Sequence, residues 1–251
     1  MATEHAIGID IGGTGIKGAV IDLATGELVT ERCKVRTPEG GRPADLLRAT
    51  EELLTTIDAM VGEQKLPLGV CFPAIVKRGR TLSAANISKE WIGLPAEELF
   101  EEALGRRIHF INDADAAGYA ESRFGAAAGV DGLVILTTLG TGIGSALIYD
   151  GVLVPNSELG HLEIDGHDAE SRAAYSARER EELTWEKWAK RLQRYYAHVE
   201  SIFSPDLFVV GGGVSKHHEE FLPLLDLKTP IVPAVHRNNA GILGAAALAI
   251  R

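Results

Sequence analysis

Short apolar runs that end in glycine-rich turns mark the start of the chain. The run Ala6–Asp10 is followed at once by Gly12-Gly13-Thr14-Gly15, and a second apolar run, Lys17–Asp22, comes after this loop. Thr25-Gly26 then supplies a turn before a third run, Leu28–Val35. Runs of this length separated by glycine turns predict an antiparallel meander of three strands.

Helical and strand patterns alternate after the meander. Apolar residues recur at helical spacing after Pro43, and a fully apolar strand then closes at Pro73. The predicted elements are helices over Pro43–Val61, Pro95–Leu104 and Ala114–Phe124, and strands over Leu68–Phe72 and Ile108–Ile111. The last strand ends directly in Asn112-Asp113, which places two polar side chains at the edge of the predicted sheet.

The strand–loop–strand pattern returns in the middle of the chain. Leu133–Thr138 and Ser145–Tyr149 flank Gly140-Thr141-Gly142, and Thr14 aligns with Thr141 at an offset of 127 residues. This internal repeat predicts an α/β fold with a duplicated β-β-β-α-β core, whose two halves are expected to face each other across a cleft. The predicted domains are residues 1–113 with 240–251, and residues 114–239.

The rest of the chain is predicted to be mostly helical. One long helical stretch is expected over about residues 171–203, then a strand over Leu207–Val210, the loop Gly211-Gly212-Gly213 and a last helix from about Gly241. Within the long stretch, apolar side chains recur at helical spacing and are interpreted as core or dimer contacts rather than a ligand platform. They are Trp185, Trp188, Leu192, Tyr195 and Val199.

Composition narrows the classes of protein to which the chain can belong. A content of 45% hydrophobic and 24% charged residues is typical of soluble globular proteins. The apolar run Ala240–Ile250 is too short to span a bilayer, and the first five residues lack the pattern of a signal peptide, so a cytoplasmic location is expected. The net charge of −10 argues against broad affinity for nucleic acid. Cys33 and Cys71 are too few for a disulfide framework or a thiolate metal site.

The glycine loops are interpreted as phosphate-binding loops. Glycine lets the backbone approach an anion closely, and successive N–H groups with a threonine hydroxyl bind phosphoryl oxygens. Asp10 is expected to hold Mg²⁺ through water, and Lys17 adds positive charge if its strand turns it toward the loop. The alternative is a hairpin without a ligand, but the loop recurs. The residues predicted to bind phosphate or ATP are Asp10, Gly12, Gly13, Thr14, Lys17, Gly140, Thr141, Gly142, Gly144, Gly211, Gly212 and Gly213.

Four motifs carry a family resemblance. In order, Ile9–Thr14, Asn112-Asp113-Ala114, Leu139–Gly144 and Glu158-Leu159-Gly160-His161 resemble the ROK sugar kinases of the hexokinase, actin and Hsp70 superfamily. The resemblance covers essentially the whole chain. It implies a two-domain actin-like ATPase (ribonuclease H-like) fold, hexose kinase activity and a homodimer.

Candidates for the acceptor site lie in the second and fourth motifs. Asp113 follows a strand beside Asn112, whose amide can bind a sugar hydroxyl; an Asn-Asp pair there also suits a helix cap, and the two roles are compatible. The resemblance implies that Asp113 deprotonates the 6-hydroxyl of the sugar. It also implies that Glu158 and His161 bind ring hydroxyls. Asn86 is predicted to help form the sugar pocket.

One departure from the family concerns zinc. Most ROK proteins carry the cysteine cluster C-x-C-G-x-x-G-C after this histidine, but the chain has no cysteine beyond Cys71, so zinc is not expected. The departure also removes the glutamate that contacts the sugar in the family. Asp165 and Glu163 are the candidates to replace it.

The same departure bears on the phosphoryl donor. The missing cluster, the short chain and the segment Ile164–Glu170 resemble actinobacterial polyphosphate glucokinases and glucomannokinases, which implies inorganic polyphosphate as donor, with ATP beside it, and glucose as acceptor, with mannose open. The basic residues considered for a polyphosphate track are Lys77, Arg78, Arg80, Lys89, Arg172, Arg178, Arg180, Lys187, Lys190, Arg191 and Arg194. Interleaved glutamates make a solvated helix face the alternative.

Two other functions stay open at this point. One is a strictly ATP-dependent hexose kinase or fructokinase, and Gly211–Gly213 favours retained use of ATP because the matching family segment lies near the nucleotide base. The other is a sugar-responsive repressor, a class that carries a DNA-binding domain before the first phosphate loop. Only nine residues precede Asp10, which counts against it.

Overall fold

A computed structural model describes residues 4–62 and 64–250 of the chain. The chain divides into two compact units, one running to Ala120 and resuming at Asn239, the other spanning Glu121–Asn238. The sequence prediction put the first of these boundaries at Asp113. The structure keeps the following turns of helix in the first unit, where the backbone oxygen of Ala116 would lie 1.7 Å from a Cβ atom at Gly244.

The first unit is built on a mixed five-stranded sheet. Its strands are β1 (His5–Ile11), β2 (Gly15–Asp22), β3 (Cys33–Arg36), β4 (Leu68–Phe72) and, after a short hairpin of β5 (Val76–Lys77) and β6 (Arg80–Thr81), β7 (His109–Asn112). The order is β3-β2-β1-β4-β7, with the first three antiparallel and β4 and β7 parallel to β1. The predicted third strand is wrong over residues 29–32, because the Thr30 hydroxyl binds Val20 N at 3.1 Å in place of a continuous ladder.

Helices cover this sheet with apolar faces. They are α1 (Pro43–Val61), α2 (Ala96–Leu104) and α3 (Asp113–Phe124). The bounds predicted for α1 are confirmed: Pro43 starts it, a position that needs no N–H, and Gly62 ends it at φ 73°. Leu46, Leu53 and Ile57 of its buried stripe join the core of the unit.

The second unit repeats the strand order of the first. Its strands are β8 (Leu133–Leu139), β9 (Ile143–Tyr149), β10 (Val152–Val154), a hairpin of β11 (Glu163–Ile164) and β12 (His167–Asp168), then β13 (Leu207–Gly211) and β14 (Ile231–Pro233). The main sheet has the order β10-β9-β8-β13-β14, with β8–β10 antiparallel and β13 and β14 parallel to β8. The predicted duplication is therefore confirmed at the level of topology.

The long helical stretch predicted over about residues 171–203 is helical for most of its length but is not continuous. Three helices occupy this stretch, α4 (Glu170–Ala173), α5 (Tyr175–Arg180) and α6 (Trp185–Phe203). Ala174 is extended at ψ 156°, and Glu182 has a positive φ of 49°. Thr184 then caps α6, its side chain accepting from Lys187 N at 3.4 Å.

A last helix, α7 (Ala240–Leu248), returns the chain to the first unit. It packs so closely on β1 and β4 that a Cβ atom at Gly8 or Gly69 would lie 1.9 Å from a backbone oxygen of Ile242 or Ala245, respectively. Only glycine permits this approach. Within residues 4–62 and 64–250, no helix is both long enough and apolar enough to cross a membrane.

Candidate active site

The first glycine loop joins β1 to β2. Gly12 N donates to Gly15 O at 3.1 Å and closes the turn. Gly13 packs against Asn86 so tightly that a Cβ atom there would lie 2.9 Å from the Asn86 backbone oxygen. The loop and Asn86, which were predicted separately, are thus neighbours, and with Thr14 they line a cavity of about 790 Å³.

Asp10 ends β1 opposite Lys17 in the β1–β2 register. Lys17 Nζ lies 3.4 Å from Asp10 Oδ2, so the strand does turn the lysine toward the loop carboxylate. On the other side, the Cys71 thiol donates to Asp10 Oδ1 at 3.5 Å. Burial, followed by the negative charges of Asp10 and Asp113, raises the pKa of the Cys71 thiol well above its usual value, which keeps the thiol protonated. Asp10 and Asp113 therefore both lie close to one buried, neutral thiol.

Asn112 and Asp113 stand where β7 ends and α3 begins. Asn112 Oδ1 accepts from Ala114 N at 2.8 Å and from Asp115 N at 3.0 Å, which makes Asn112 the cap of the helix. Its Nδ2 donates to Ala74 O at 3.0 Å, so one of the two amide N–H groups is committed to the protein. Asp113 is half-buried, with Oδ1 2.9 Å from Ala114 N. The Asn112 side chain thus fixes the backbone that presents the Asp113 carboxylate.

The second glycine loop joins β8 to β9. Gly140 N donates to Gly142 O at 3.0 Å. Ser176, in the first turn of α5, ties the loop down, because its N–H donates to Gly140 O at 3.0 Å and its hydroxyl donates to Thr141 O at 2.6 Å. Gly144 lies within β9, opposite Thr138 of β8, rather than in the loop itself.

The third glycine segment lies beside the second. β13 ends at Gly211, paired with Thr138 near the end of the parallel strand β8. Gly212 has φ 82°, and a Cβ atom there would lie 2.4 Å from the backbone oxygen of Leu139, the last residue of β8. Gly213 opens a helical turn that runs to Glu220. Because both loops leave the same edge of one sheet, the predicted donor residues of this unit are adjacent.

The motif Glu158–His161 forms a tight turn against the second loop. His161 N donates to Glu158 O at 3.1 Å. The His161 ring Nδ1 lies 2.8 Å from Asp168 Oδ2 of the β11–β12 hairpin. Glu170 Oε2 accepts from Ile143 N at 2.9 Å, and a Cβ atom at Gly142 would lie 2.3 Å from that same oxygen. A histidine and three carboxylates thus gather beside the Gly140–Gly142 loop.

The pKa values of two groups in this cluster are raised, for different reasons. Burial raises the pKa of the Glu158 carboxyl; the charge of His161 opposes the rise and that of Glu170 adds to it. The hydrogen bond that His161 donates to Asp168 raises the pKa of His161, burial opposes the rise, and the charges of Glu170, Asp168 and Glu158 add to it. The imidazolium is therefore the favoured form of His161 over a wider pH range than usual.

Asp165 and Glu163 do not belong to this cluster, whereas Glu170 does. Asp165 lies at the turn of the β11–β12 hairpin and accepts hydrogen bonds from Arg194 Nε at 2.9 Å and Nη2 at 2.7 Å. Glu163 is an exposed residue of the same hairpin. The dipeptide Asp165-Gly166, with φ 55° and 74°, signals such a turn in the sequence. Neither Glu170 nor Asp168 was singled out from the sequence, because no motif position distinguished them from the surrounding acidic residues.

Three residues of the cluster could each offer one atom to a metal ion: His161, Asp168 and Glu170. These three atoms all lie within 4.8 Å of one another. The Asp168 oxygen is already bonded to the histidine, and the Glu170 oxygen to Ile143 N. The expectation that the chain binds no zinc stays a prediction.

Comparison with known proteins agrees with the motifs. A family model described as the ROK family matches residues 6–172 and 165–251. The polyphosphate glucokinase of Mycobacterium tuberculosis (strain CDC 1551 / Oshkosh) is 45% identical over 244 residues, which are 97% of this chain and 90% of that protein.

Two solved structures extend the comparison. The crystal structure of the inorganic polyphosphate/ATP-glucomannokinase from Arthrobacter sp. strain KM is 54% identical, with a TM-score of 0.93 and coverage of 98% of both chains. A ROK family glucokinase from Streptomyces griseus, in complex with glucose and AMPPNP, is 25% identical with a TM-score of 0.83, and the match covers 97% of this chain and 98% of that one. ROK sugar kinases have the actin-like ATPase fold, and the match over nearly the whole chain shows that this chain has the same fold. From the whole-chain match and the ordered motifs, we conclude that the chain belongs to the ROK family.

Proposed function

We propose that the chain is a glucokinase that transfers the terminal phosphoryl group of inorganic polyphosphate or ATP to the 6-hydroxyl of glucose. The observation that carries this proposal is the similarity, over 97–98% of the chain, to two proteins named for polyphosphate-dependent sugar phosphorylation. The glycine loops and the carboxylates at the sheet edges support it, because phosphoryl transfer depends on positioning and on neutralising charge.

Asp113 is the general base in this proposal. It accepts the proton of the attacking hydroxyl while its backbone is held by the Asn112 cap. Asp113 also begins a helix, and its Oδ1 lies 2.9 Å from Ala114 N in the first turn. An ionised carboxylate accepts hydrogen bonds only, as a base requires.

Glu158, His161 and Glu170 are the proposed sugar-binding residues of the second unit. A carboxylate accepts from sugar hydroxyls, and His161, whose Nδ1 is engaged with Asp168, presents its Nε2 atom as a donor when protonated. Asn86 and Asn112 are proposed to contribute amide contacts in the first unit. Glu170 takes the role that the sequence assigned to Asp165 or Glu163, because both Asp165 oxygens are bound to Arg194.

The donor residues are the three glycine segments with Thr14, Thr141 and Lys17. Asp10 fits a Mg²⁺ site because it offers a partly exposed carboxylate, the hard oxygen ligand that this ion prefers, beside a phosphate loop. Mg²⁺, when bound with the donor, supplies positive charge to the phosphate oxygens. Lys17, with its Nζ 3.4 Å from Asp10 Oδ2, adds a second cation to the loop.

A donor assay tests the proposal. Purified protein is incubated with glucose, Mg²⁺ and either ATP or long-chain polyphosphate, and glucose 6-phosphate is measured; mannose and fructose replace glucose in parallel. We expect turnover with glucose and polyphosphate. Turnover with ATP alone would leave the strictly ATP-dependent kinase, and fructose as the preferred acceptor would favour a fructokinase. The homodimer and the cytoplasmic location expected from the sequence remain predictions.

A further inference from the structure

Arg178 is a cation held against an aromatic ring. Its guanidinium carbon lies 3.7 Å from the centre of the Trp185 ring and 5.7 Å from that of Tyr175. None of the ion pairs formed by the described residues includes Arg178, and its buried Nε has no hydrogen-bond partner. The nearby Glu181 is taken by Arg180 and Arg191. Stacking therefore fixes the plane of the guanidinium and leaves its terminal N–H groups for an anion.

This stack stands next to the predicted donor loops. Arg178 belongs to α5, whose first turn is bonded through Ser176 to Gly140 O and Thr141 O. The Trp185 ring is also 5.6 Å from the ring of His217, which belongs to the helical turn that follows the Gly211–Gly213 segment. The Arg178–Trp185 pair thus connects an element anchored on the second glycine loop with the element that leaves the third.

The chemistry of the stack favours phosphate over a nucleobase. Arg178 covers one face of the Trp185 ring, and Phe221 lies nearly parallel to the ring at 6.0 Å with an interplanar angle of 18°. With these neighbours the indole is packed as a support for the guanidinium rather than as an open stacking surface for a base. A guanidinium edge, by contrast, matches the spacing of two phosphate oxygens.

We propose that Arg178 binds the phosphate chain of the donor, at phosphates beyond the one that is transferred. The Gly140–Gly142 loop holds the reacting end, and Arg178 holds a later part of the chain as it passes α5. This inference rests on the proposed use of polyphosphate. It also changes the interpretation of Trp185, which serves here to position Arg178 rather than only to fill the core.

The test replaces Arg178 with glutamine, which removes the charge and keeps much of the length. We expect the KM for long-chain polyphosphate to rise about tenfold, the cost of losing a charge-assisted contact, while the KM for glucose stays within about twofold. Arg178→Lys should recover part of the loss, because it restores the cation but not the paired N–H groups. Calorimetric titration with polyphosphate, without glucose, should show the same order of affinities.

Arg180→Gln is the matched control. It makes the same chemical change on the same helix, but Arg180 is bonded to Glu181 and Ser171 O. It should leave the KM for polyphosphate unchanged, and circular dichroism and thermal melts should show that all variants are folded. If the parent protein uses polyphosphate and Arg178→Gln has the parental KM, the role of Arg178 is refuted while the proposed function stands. If the parent uses only ATP, the polyphosphate donor and this inference are refuted together.

Discussion

His161 Nδ1 lies 2.8 Å from Asp168 Oδ2 of the β11–β12 hairpin, and this bond engages one of the two ring nitrogens. The hairpin occupies the part of the sequence in which most ROK proteins carry the zinc-binding cysteines. A carboxylate thus contacts the histidine in the segment where this chain lacks those cysteines. Fixing one ring nitrogen determines what the other can donate or accept.

Asp168→Asn should weaken glucose binding by loosening His161. We expect the pKa of His161 to fall, because its main cause of elevation is lost. The KM for glucose should rise about three- to tenfold, with a smaller change in kcat. Proton NMR titration of the histidine and steady-state kinetics measure the two effects. Asp131→Asn, at an exposed residue outside the cluster, is the control. An unchanged histidine pKa would contradict this role for Asp168.

The pH dependence of the same pair has a defined sign. The folded-state pKa of His161 lies above the usual 6.5. The stability it contributes is therefore complete below about pH 6.5 and is lost as pH rises through the raised pKa. The histidine is largely exposed, so the effect on the melting temperature should be small. Asp168→Asn should flatten this pH dependence, and thermal melts at pH 6 and pH 8.5 compare the two proteins.

Asp113→Asn should abolish most turnover and preserve the fold. An amide oxygen still accepts from Ala114 N, but an amide takes no proton from a hydroxyl. General-base catalysis is typically worth 10²–10⁴ in rate, so kcat should fall by about that factor, with the KM for glucose changed only a few-fold. Rapid-quench or coupled assays with either donor measure it. Turnover close to that of the parent would remove Asp113 as the base.

Gly212 and Gly213 form a matched pair for testing the third glycine segment. A methyl group at Gly212 would meet the Leu139 backbone at 2.4 Å and would require φ 82°. At Gly213 the added carbon would meet no atom of the described residues within 4 Å outside its own helical turn. Gly212→Ala should lower the free energy of unfolding by about 2–4 kcal/mol and raise the KM for the donor. Gly213→Ala should stay within about 0.5 kcal/mol of the parent. Urea denaturation of both variants checks this, and equal losses would contradict the close packing.

Glu158→Gln should weaken glucose binding without lowering the stability of the protein. Because burial raises the pKa of Glu158, the folded state is favoured by protonation of this group and disfavoured as pH rises through the raised pKa. The neutral amide should therefore melt no lower than the parent at pH 7, while the KM for glucose rises about tenfold through loss of a charged acceptor. The difference in melting temperature should shrink as pH is lowered. A clear loss of stability at pH 7 would oppose this account.

The sequence predicts those parts of the fold that local pattern controls. The bounds of α1 follow from its apolar spacing, its proline start and its glycine end, and the duplicated sheet follows from the repeated glycine loops. The break between α4 and α5 is different. It accompanies bonds from Ser176 to Gly140 O and Thr141 O, distant in sequence, so the helical period continues across it without a local signal.

In the candidate site, too, some residues are identified by local sequence pattern and others only by contacts between distant parts of the chain. Asp10, Asn112 and Glu158 stand in motifs at strand ends or turns, which the sequence shows directly. Asp165 is a candidate because it lies in the segment that replaces the cysteine cluster, but its carboxylate is bound to Arg194. Glu170 reaches the loop only because α4 packs against Ile143, a tertiary contact that composition and spacing do not encode.

The passage of α7 back to the first unit has a consequence for synthesis on the ribosome. Residues 240–248 are translated after the whole of the second unit, so β1 and β4 wait for the backbone that packs against Gly8 and Gly69. The second unit is continuous in sequence and can complete its core earlier. We therefore expect the second unit to complete its folding before the first, although the first is synthesised earlier. Until α7 is made, one face of the first sheet stays uncovered, and this face then needs protection from aggregation.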